Sequence, residues 1–358
     1  MPENPLGVSF LLCTYNGAPR LAKTLACLAA QDVPARLPWE VVFVDNASTD
    51  GSAELAQQVW ADLGAPAPLR QLHEPRPGYK VAMQRAIDQA RYRYACIVDD
   101  DNRLRADYLR TGVALLNEYP RIGILGGPNT ATFDGPMPAW FPAFQHCYAA
   151  GPQLDRVGGR FAPLPDGPVG RNVLWGAGMF VRTAIWHRLR AVGFTSLFTG
   201  RQGEANLTAG EDDELCYLAQ LLGYQVWYST RLHLHHHMAP GRLTEAYRDR
   251  LFYASARATP RLNAYRNALW GRPDGAVGAN LLKDVGYAVW GMAKNVCRPA
   301  FAQAWLANNR LPLMNQRHAL AVVQEMVWHY RRVKAYYEQV RQLQQRLPAT
   351  PTLAYYPS

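Results

Sequence analysis

Three clusters in this 358-residue sequence have the residue types and spacing for polar chemistry. Asp99-Asp100-Asp101 directly follows the apolar run Tyr94 to Val98, so its carboxylates project from a strand end. Adjacent carboxylates repel one another unless a cation sits among them. Hard divalent ions such as Mn²⁺ or Mg²⁺ take carboxylate oxygens and complete their shell with substrate phosphates, so a D-x-D at this place points to a metal-nucleotide site. A solvated acidic turn, or a cap for the helix beginning near Arg105, is the plain structural alternative. The second cluster, Glu211-Asp212-Asp213-Glu214, follows Gly210 and opens a helix, where first-turn acids complement the helix dipole. Beside a metal site, one of these acids could instead be the general base for an attacking hydroxyl. The third is His233, His235, His236 and His237; in an extended segment the odd-numbered three share one face and His236 takes the other. A neutral imidazole is a competent ligand for a divalent ion, though a His-rich surface loop has the same appearance.

The elements that must position these groups alternate. Val8 to Cys13 reads as a strand, Arg20 to Gln31 as a helix with Leu21, Leu25 and Leu28 on one face, and Trp39 to Val44 as a second buried strand. Asp45 to Gly51 stops that strand and offers caps for a helix from Ser52 to Asp62. A third helix is expected from Tyr79 to Tyr92, before the strand that ends in Asp99. Polar loops gathered at one edge of such a sheet form the usual ligand crevice of an open α/β fold. Gly126 to Gly210 is rich in Gly, Pro and aromatic residues, with helices expected at Thr183 to Val192 and Asp212 to Leu222 and a strand at Gln225 to Ser229. Beyond Pro240 the pattern is helical only, over Arg242 to Ala258, Ala276 to Cys297 and Pro312 to Leu347.

The composition, 49% hydrophobic and 18% charged with 28 Gly and 26 Pro scattered without period, excludes disordered and collagen-like chains. No apolar stretch is long enough to span a membrane, and the first residues carry neither the basic nor the apolar region of a secretory signal. Six cysteines without C-x-x-C spacing read as reduced thiols of a cytoplasmic protein. The formal charge of +10 is unevenly placed: residues 240–358 hold 17 Lys+Arg against 6 Asp+Glu, while residues 1–239 nearly balance. Such a basic third suits an acidic partner, whether phosphorylated lipid, anionic membrane or nucleic acid. Trp290, Trp305, Trp328, Tyr330, Tyr336 and Tyr337 among its Lys and Arg suit a membrane headgroup region; packing onto the rest of the protein is the alternative.

Taken in order, Cys13-Thr14-Tyr15-Asn16, Val44 to Asp50, Gly78, Val98 to Asp101, Gly176-Ala177-Gly178-Met179, Gly210-Glu211-Asp212 and the late His make a pattern. Over about Gly7 to Arg242 the chain resembles the family 2 glycosyltransferases of the GT-A fold, most of all bacterial members that build surface or extracellular polysaccharides. The resemblance implies a mostly parallel, Rossmann-like α/β sheet flanked by helices, with a helical C-terminal extension. It implies a catalytic domain at 1–239, with nucleotide-sugar binding at about 7–125 and the acceptor side and catalytic loop at about 126–239, and a basic helical region at 240–358.

Carried over by residue, the resemblance implies that Thr14, Tyr15 and Asn16 shape the nucleotide pocket and that Asp45 accepts a hydrogen bond from the base. Asp99, with Asp100 beside it, would face the ribose and diphosphate, Gly78 would open the third helix, and Asp101 would hold Mn²⁺ or Mg²⁺ together with His236. Asp212 would be the base, with Glu211 orienting the acceptor or the loop. Ala82-Met83-Gln84 stands where the family commonly has Ala-Arg-Asn, so Lys80, Arg85 or Arg201 must replace the lost charge. Trp140, Phe141, Phe144 and Trp175 offer faces for acceptor sugars or, equally, for core packing. The implied reaction is metal-dependent inverting transfer from a nucleotide-diphospho-sugar to a glycan or lipid-linked acceptor, at the cytoplasmic face of a membrane or in the cytoplasm. Two rivals are a sugar nucleotidyltransferase, disfavoured because no Gly-rich basic loop follows the first strand, and a nucleic-acid binder, which would leave the ordered motifs unexplained.

Overall fold

The structure is a computed structural model and describes residues 4–156, 162–198, 200, 209–271, 277–297, 299 and 310–347. The chain opens with β1 (Val8–Thr14), α1 (Ala18–Ala29), β2 (Trp39–Asp45), α2 (Ser52–Asp62), β3 (Leu69–His73), α3 (Tyr79–Asp88) and β4 (Tyr94–Asp99). Every residue of β1, β2 and β4 except Asp99 is buried. Strands of a parallel sheet are covered on both faces, which explains why they read as unbroken apolar runs. α3 stops four residues before the expected Tyr92. The carbonyls beyond it are engaged elsewhere, Gln89 by Arg70 and both Ala90 and Tyr92 by Asn4.

The chain continues through β5 (Asn102–Leu104), α4 (Tyr108–Glu118), β6 (Ile122–Gly126), β7 (Asn129–Phe133), α5 (Phe141–Phe144), β8 (Gly167–Pro168), β9 (Phe180–Arg182), α6 (Thr183–Ala191), α7 (Glu211–Leu221), β10 (Gln225–Tyr228) and β11 (Leu234–Met238). The main sheet has the order β3-β2-β1-β4-β9-β6-β10-β8. Its first four strands are parallel, and β9 runs antiparallel between β4 and β6. A second sheet, β5-β11-β7, sets His236 opposite Asn102. This register carries the histidines to the end of the acidic run.

Among the described residues the following helices come next: α8 (Glu245–Trp270), α9 (Val277–Val296), α10 (Arg310–Trp328) and α11 (Tyr330–Arg346). α8 extends well past Ala258 with Pro260 inside it. Proline removes one helical donor, yet Ala256, Ala258, Leu262, Ala264 and Tyr265 are all buried and hold both sides of it in place. The single helix expected from Pro312 to Leu347 is two, broken at His329. At 1.5 Å per residue an unbroken 36-residue helix would be about 54 Å long, against about 39 Å for α8. The break lets both halves pack on α8.

One hydrophobic core joins Ile124, Val181 and Val226 of the sheet to Leu262, Tyr265, Met326, Val333 and Tyr337 of the helices. The described cysteines are all free. Among the described residues no helix is long and apolar enough to cross a membrane.

Candidate active site

Loops after β1 and β2 are tied together by their own polar groups. The Asn16 N–H donates to Ser48 Oγ at 3.0 Å, its Oδ1 accepts from the Thr49 N–H at 2.9 Å, and the Gly17 N–H donates to Ser52 Oγ at 3.0 Å. Gly17 has no room for a side chain: a Cβ there would lie 2.0 Å from Thr14 Oγ1. Asp45 accepts from the Ser48 N–H at 3.2 Å and its other oxygen lies 3.0 Å from His73 Nδ1. Asn46 donates to the carbonyls of Glu74 and Arg76 and accepts from the Gly78 N–H at 2.8 Å. Thr14, Asn16, Asp45 and Gly78 thus belong to one braced rim, from which Tyr15 projects, half exposed.

Within the first acidic run, Asp100 and Asp101 have separate fates. Asp100 is buried; Arg20 grips it with Nε at 2.8 Å and Nη2 at 2.9 Å, and Thr14 Oγ1 donates to it at 2.6 Å. Its negative charge is neutralised within the fold. Asp101 faces His236 Nε2 at 3.3 Å, accepts from Arg242 Nη1 at 2.8 Å and from Asn102 Nδ2 at 3.0 Å. Burial opposes its ionisation, but the charge and hydrogen bond of His236 and the guanidinium groups of Arg242 and Arg20 outweigh it and hold the carboxyl well below the usual range.

Asp101 and His236 fit a divalent cation. His236 Nδ1 lies 3.4 Å from the Ala149 carbonyl, which can accept an Nδ1 proton, so an ion taking the place of the Nε2 hydrogen bond to Asp101 would meet Nε2 as its ligand. A gap of 3.3 Å suits two neighbouring ligands of one ion whose bonds are about 2.1 Å. A positive group already stands there, since Arg242 Nη1 is also within 3.4 Å of His236 Nε2. Among the described residues no group of three or more His, Cys, Asp or Glu surrounds such a point. Two protein ligands leave the remainder of the shell to phosphate and water, the habit of Mg²⁺ and its like.

Asp212 occupies the first turn of α7 and accepts the Gly176 N–H at 2.8 Å. A Cβ on Gly176 would fall 2.4 Å from Asp212 Oδ1, so the motif glycine is what allows this approach. Burial pushes the Asp212 carboxyl up to about 7 against the pull of the Gly176 hydrogen bond, with Glu211, Asp99 and Asp213 adding to the rise. Tyr79, at the start of α3, is raised by burial and then by Asp99 and Asp212, which marks it as their neighbour. The last acid of the run, Glu214, is buried and structural. It accepts from Tyr265 OH at 2.7 Å, from the Leu197 N–H at 2.9 Å and from the Ser196 hydroxyl.

The remaining expected residues are scattered. His233 pairs with Thr130 at 2.8 Å, His235 is exposed, and the His237 ring lies 3.1 Å from Asp134, so of the four side chains only His236 reaches the Asp101 carboxylate. Lys80 Nζ donates to the Phe198 carbonyl at 2.6 Å and Arg85 lies 3.8 Å from Glu74. Arg201 lies outside the described residues, as does Trp305. Phe141 and Phe144 are core, and Trp140 packs against both with Arg248 over its ring at 5.2 Å. Trp175 is half-buried next to Gly176, its N–H donating to Gln153. Sequence reasoning missed Arg20, Tyr79 and Arg242 as members of this site. Arg242 lies six residues after His236, and Arg20 four residues after Asn16, the last residue of the first loop motif. Neither position has a spacing that announces its partner.

Two family profiles match: Glycosyl transferase family 2 over residues 9–140 and Glycosyl transferase family group 2 over residues 94–271. Among curated proteins the chain is similar to the succinoglycan biosynthesis protein ExoM of Rhizobium meliloti (strain 1021), 26% identical over 140 residues, 39% of this chain and 44% of that protein. It is also similar to TuaG of Bacillus subtilis (strain 168), named for teichuronic acid biosynthesis, 28% identical over 111 residues, 31% of this chain and 42% of that protein. The matches span less than half the length of either relative. Among solved structures, a mannosyltransferase from Pyrobaculum calidifontis, in complex with GDP-Man and Mn²⁺, is 17% identical with a TM-score of 0.55 over 92% of this chain and 90% of that one. The sheet and its flanking helices are therefore of the GT-A type. With both profiles on one chain, the protein belongs to the family 2 glycosyltransferases.

Proposed function

We propose that this glycosyltransferase is metal-dependent and inverting, and that it moves a sugar from a nucleotide-diphospho-sugar to an acceptor hydroxyl during synthesis of a bacterial surface or extracellular glycan. The observation that carries the reading is Asp212, half-buried, aimed by the Gly176 N–H and raised to about 7. A carboxylate near neutrality is a competent general base at the working pH of a cell. Asp212 takes the proton of the acceptor hydroxyl, which attacks from the face opposite the leaving diphosphate, and Glu211 orients the acceptor or its loop.

On the donor side, Thr14, Tyr15, Asn16, Asp45 and Gly78 form the nucleotide rim, and Asp99 faces the ribose and diphosphate, while Asp100 and Lys80 position the loops that do so. Asp101 and His236 would hold Mn²⁺ or Mg²⁺, which when bound supplies charge to offset the departing diphosphate. Arg242, which donates to Asp101 Oδ2 at 2.8 Å, would supply positive charge beside the ion in place of that lost with the missing family arginine. Trp140 and Trp175 lie on the acceptor side. Residues 1–239 would form the catalytic unit and 240–358 its helical support, on the cytoplasmic side of the membrane with a glycan or lipid-linked acceptor. In support, the structural neighbour binds GDP-Man and Mn²⁺, and the relatives are named for polysaccharide synthesis.

The test is a thermal-shift screen of nucleotide-sugars with Mn²⁺ or with chelator, followed by NMR of the product anomer. A donor that raises the melting temperature only with the ion, and a product of inverted configuration, are expected. Retention of configuration, or donor binding indifferent to the chelator, would overturn the respective part.

A further inference from the structure

α9 is apolar on two opposite faces. Its inner face rests on the core through Leu281, fully buried, with Val277, Val285 and Ala288 alongside. Its outer face leaves Leu282 66%, Tyr287 60%, Val289 41%, Trp290 62% and Val296 46% exposed. Charged residues on the helix are only Lys283, Asp284 and Lys294, and Asp284 turns inward to accept the Tyr337 hydroxyl. Both lysines lie over aromatic rings of the outer face, Lys283 over Tyr287 at 5.6 Å and Lys294 over Trp290 at 4.9 Å. The corner between α10 and α11 adds Val327, Trp328 and Tyr330 to the exposed hydrophobics, Trp328 at 72%. It adjoins the start of α9, since a Cβ on Gly278 would lie 3.5 Å from Tyr330 OH. A helix that is hydrophobic all round has a nonaqueous neighbour on every side, and here the core accounts for only one.

We propose that the outer face of α9 and the adjoining corner dock this protein flat on an anionic lipid bilayer. Trp and Tyr rings with lysines beside them match the headgroup boundary, where aromatic residues sit at interface depth and ammonium groups reach phosphate. The region carries 17 Lys+Arg against 6 Asp+Glu, which complements an anionic leaflet. A second copy is the poorer occupant, because a two-fold contact through this patch would bring Lys283 and Lys294 of both copies together with no acid on the outer face of the helix to pair with them. The inference is independent of the transfer reaction proposed above, and its failure would leave that reading untouched.

The full-length protein is to be sedimented with vesicles of phosphatidylcholine alone, and of phosphatidylcholine with roughly one third phosphatidylglycerol. Binding is expected to the anionic vesicles only and to weaken as salt is raised. Leu282→Ser with Trp290→Ser should abolish it. Lys283→Gln with Lys294→Gln, which leaves the apolar face intact, should weaken binding about fivefold per lysine, the factor that about 1 kcal/mol each represents. Equal binding to both vesicle types, binding to neither, or both variants binding as wild type would overturn the proposal. So would a wild-type dimer, seen by sedimentation velocity, that Leu282→Ser with Trp290→Ser dissolves.

Discussion

Two runs of acids lie in this chain, Asp99 to Asp101 and Glu211 to Glu214, and the fold treats them in opposite ways. In each, one member is used up as structure: Asp100 by Arg20 and Thr14, and Glu214 by Ser196, Leu197 and Tyr265. The working members then diverge. Asp101 stands among Arg242, Arg20 and His236 and stays ionised. Asp212 stands among Glu211, Asp99 and Asp213 with one backbone N–H for support, and is raised to about 7. A carboxylate held among positive groups stays ionised and is a poor base, while one held among negative groups keeps its proton to higher pH and is the stronger base. Both runs consist of carboxylates alone; their neighbours decide the chemistry.

The largest expected effect comes from the second run. Asp212→Asn keeps the shape and the acceptor for the Gly176 N–H but has no base, so kcat should fall by about a hundredfold or more with donor affinity little changed. Near-normal turnover would move the base to Glu211 or Asp213 and break the contrast. Asp101→Ala should lower donor affinity in Mn²⁺ by at least about tenfold, read by calorimetry. In chelator the same variant and wild type should bind donor alike, apart from what Arg242 regains, and an unchanged affinity in Mn²⁺ would remove Asp101 from the metal site.

Much of this contrast was legible beforehand, and the reasons are local. β1, β2 and β4 announce themselves because both faces of each are buried, and α7 because Gly210 precedes four acids in its first turn. Strand alternation set His236 on the opposite face from His235 and His237, but its choice as a ligand came from the resemblance. Arg20 and Asp100, 80 positions apart, could not be paired by eye, because their contact depends on how α1 lies against β4. The sheet β5-β11-β7 was likewise hidden: strands of three to five residues have too few positions for a period, and β5 and β11 are far apart in sequence. Pro260 inside α8 and the break at His329 are tertiary decisions, both set by packing against the core.

The pH dependence sharpens the comparison at smaller amplitude. A base must be ionised, so kcat/KM should rise about tenfold per unit up to about pH 7 and then level, following Asp212. Stability should move the other way. Because the folded carboxyl binds its proton more tightly than the unfolded one, that contribution is complete below about pH 4 and is lost as pH rises through about 7. Asp212→Asn escapes the loss and should melt above wild type at pH 8, by a margin on the order of 1 to 3 kcal/mol. A variant that melts lower at pH 8 would mean that Asp212 is stabilised as a carboxylate, like Asp101.

The smallest effect tests the structural acid of the second run. Tyr265 lies in α8, so its 2.7 Å bond to Glu214 is a direct polar tie between the basic helical third and the helix that carries Asp212. Glu214 is raised to about 7, by burial first, against the hydrogen bonds from Ser196, Tyr265 and Leu197 that favour its ionised form. Tyr265→Phe removes one of those bonds without changing the ring, so Glu214 should titrate higher still. The lost stability should be about 1 to 2 kcal/mol at pH 8, where the carboxylate accepts the bond, and smaller at pH 5, where the acid is protonated in either protein. Urea melts at the two pH values would measure this difference. No loss at either pH would show that Tyr265 acts only through packing on Tyr217, with which it stacks at 6.3 Å, and the polar tie between the two regions would carry no weight.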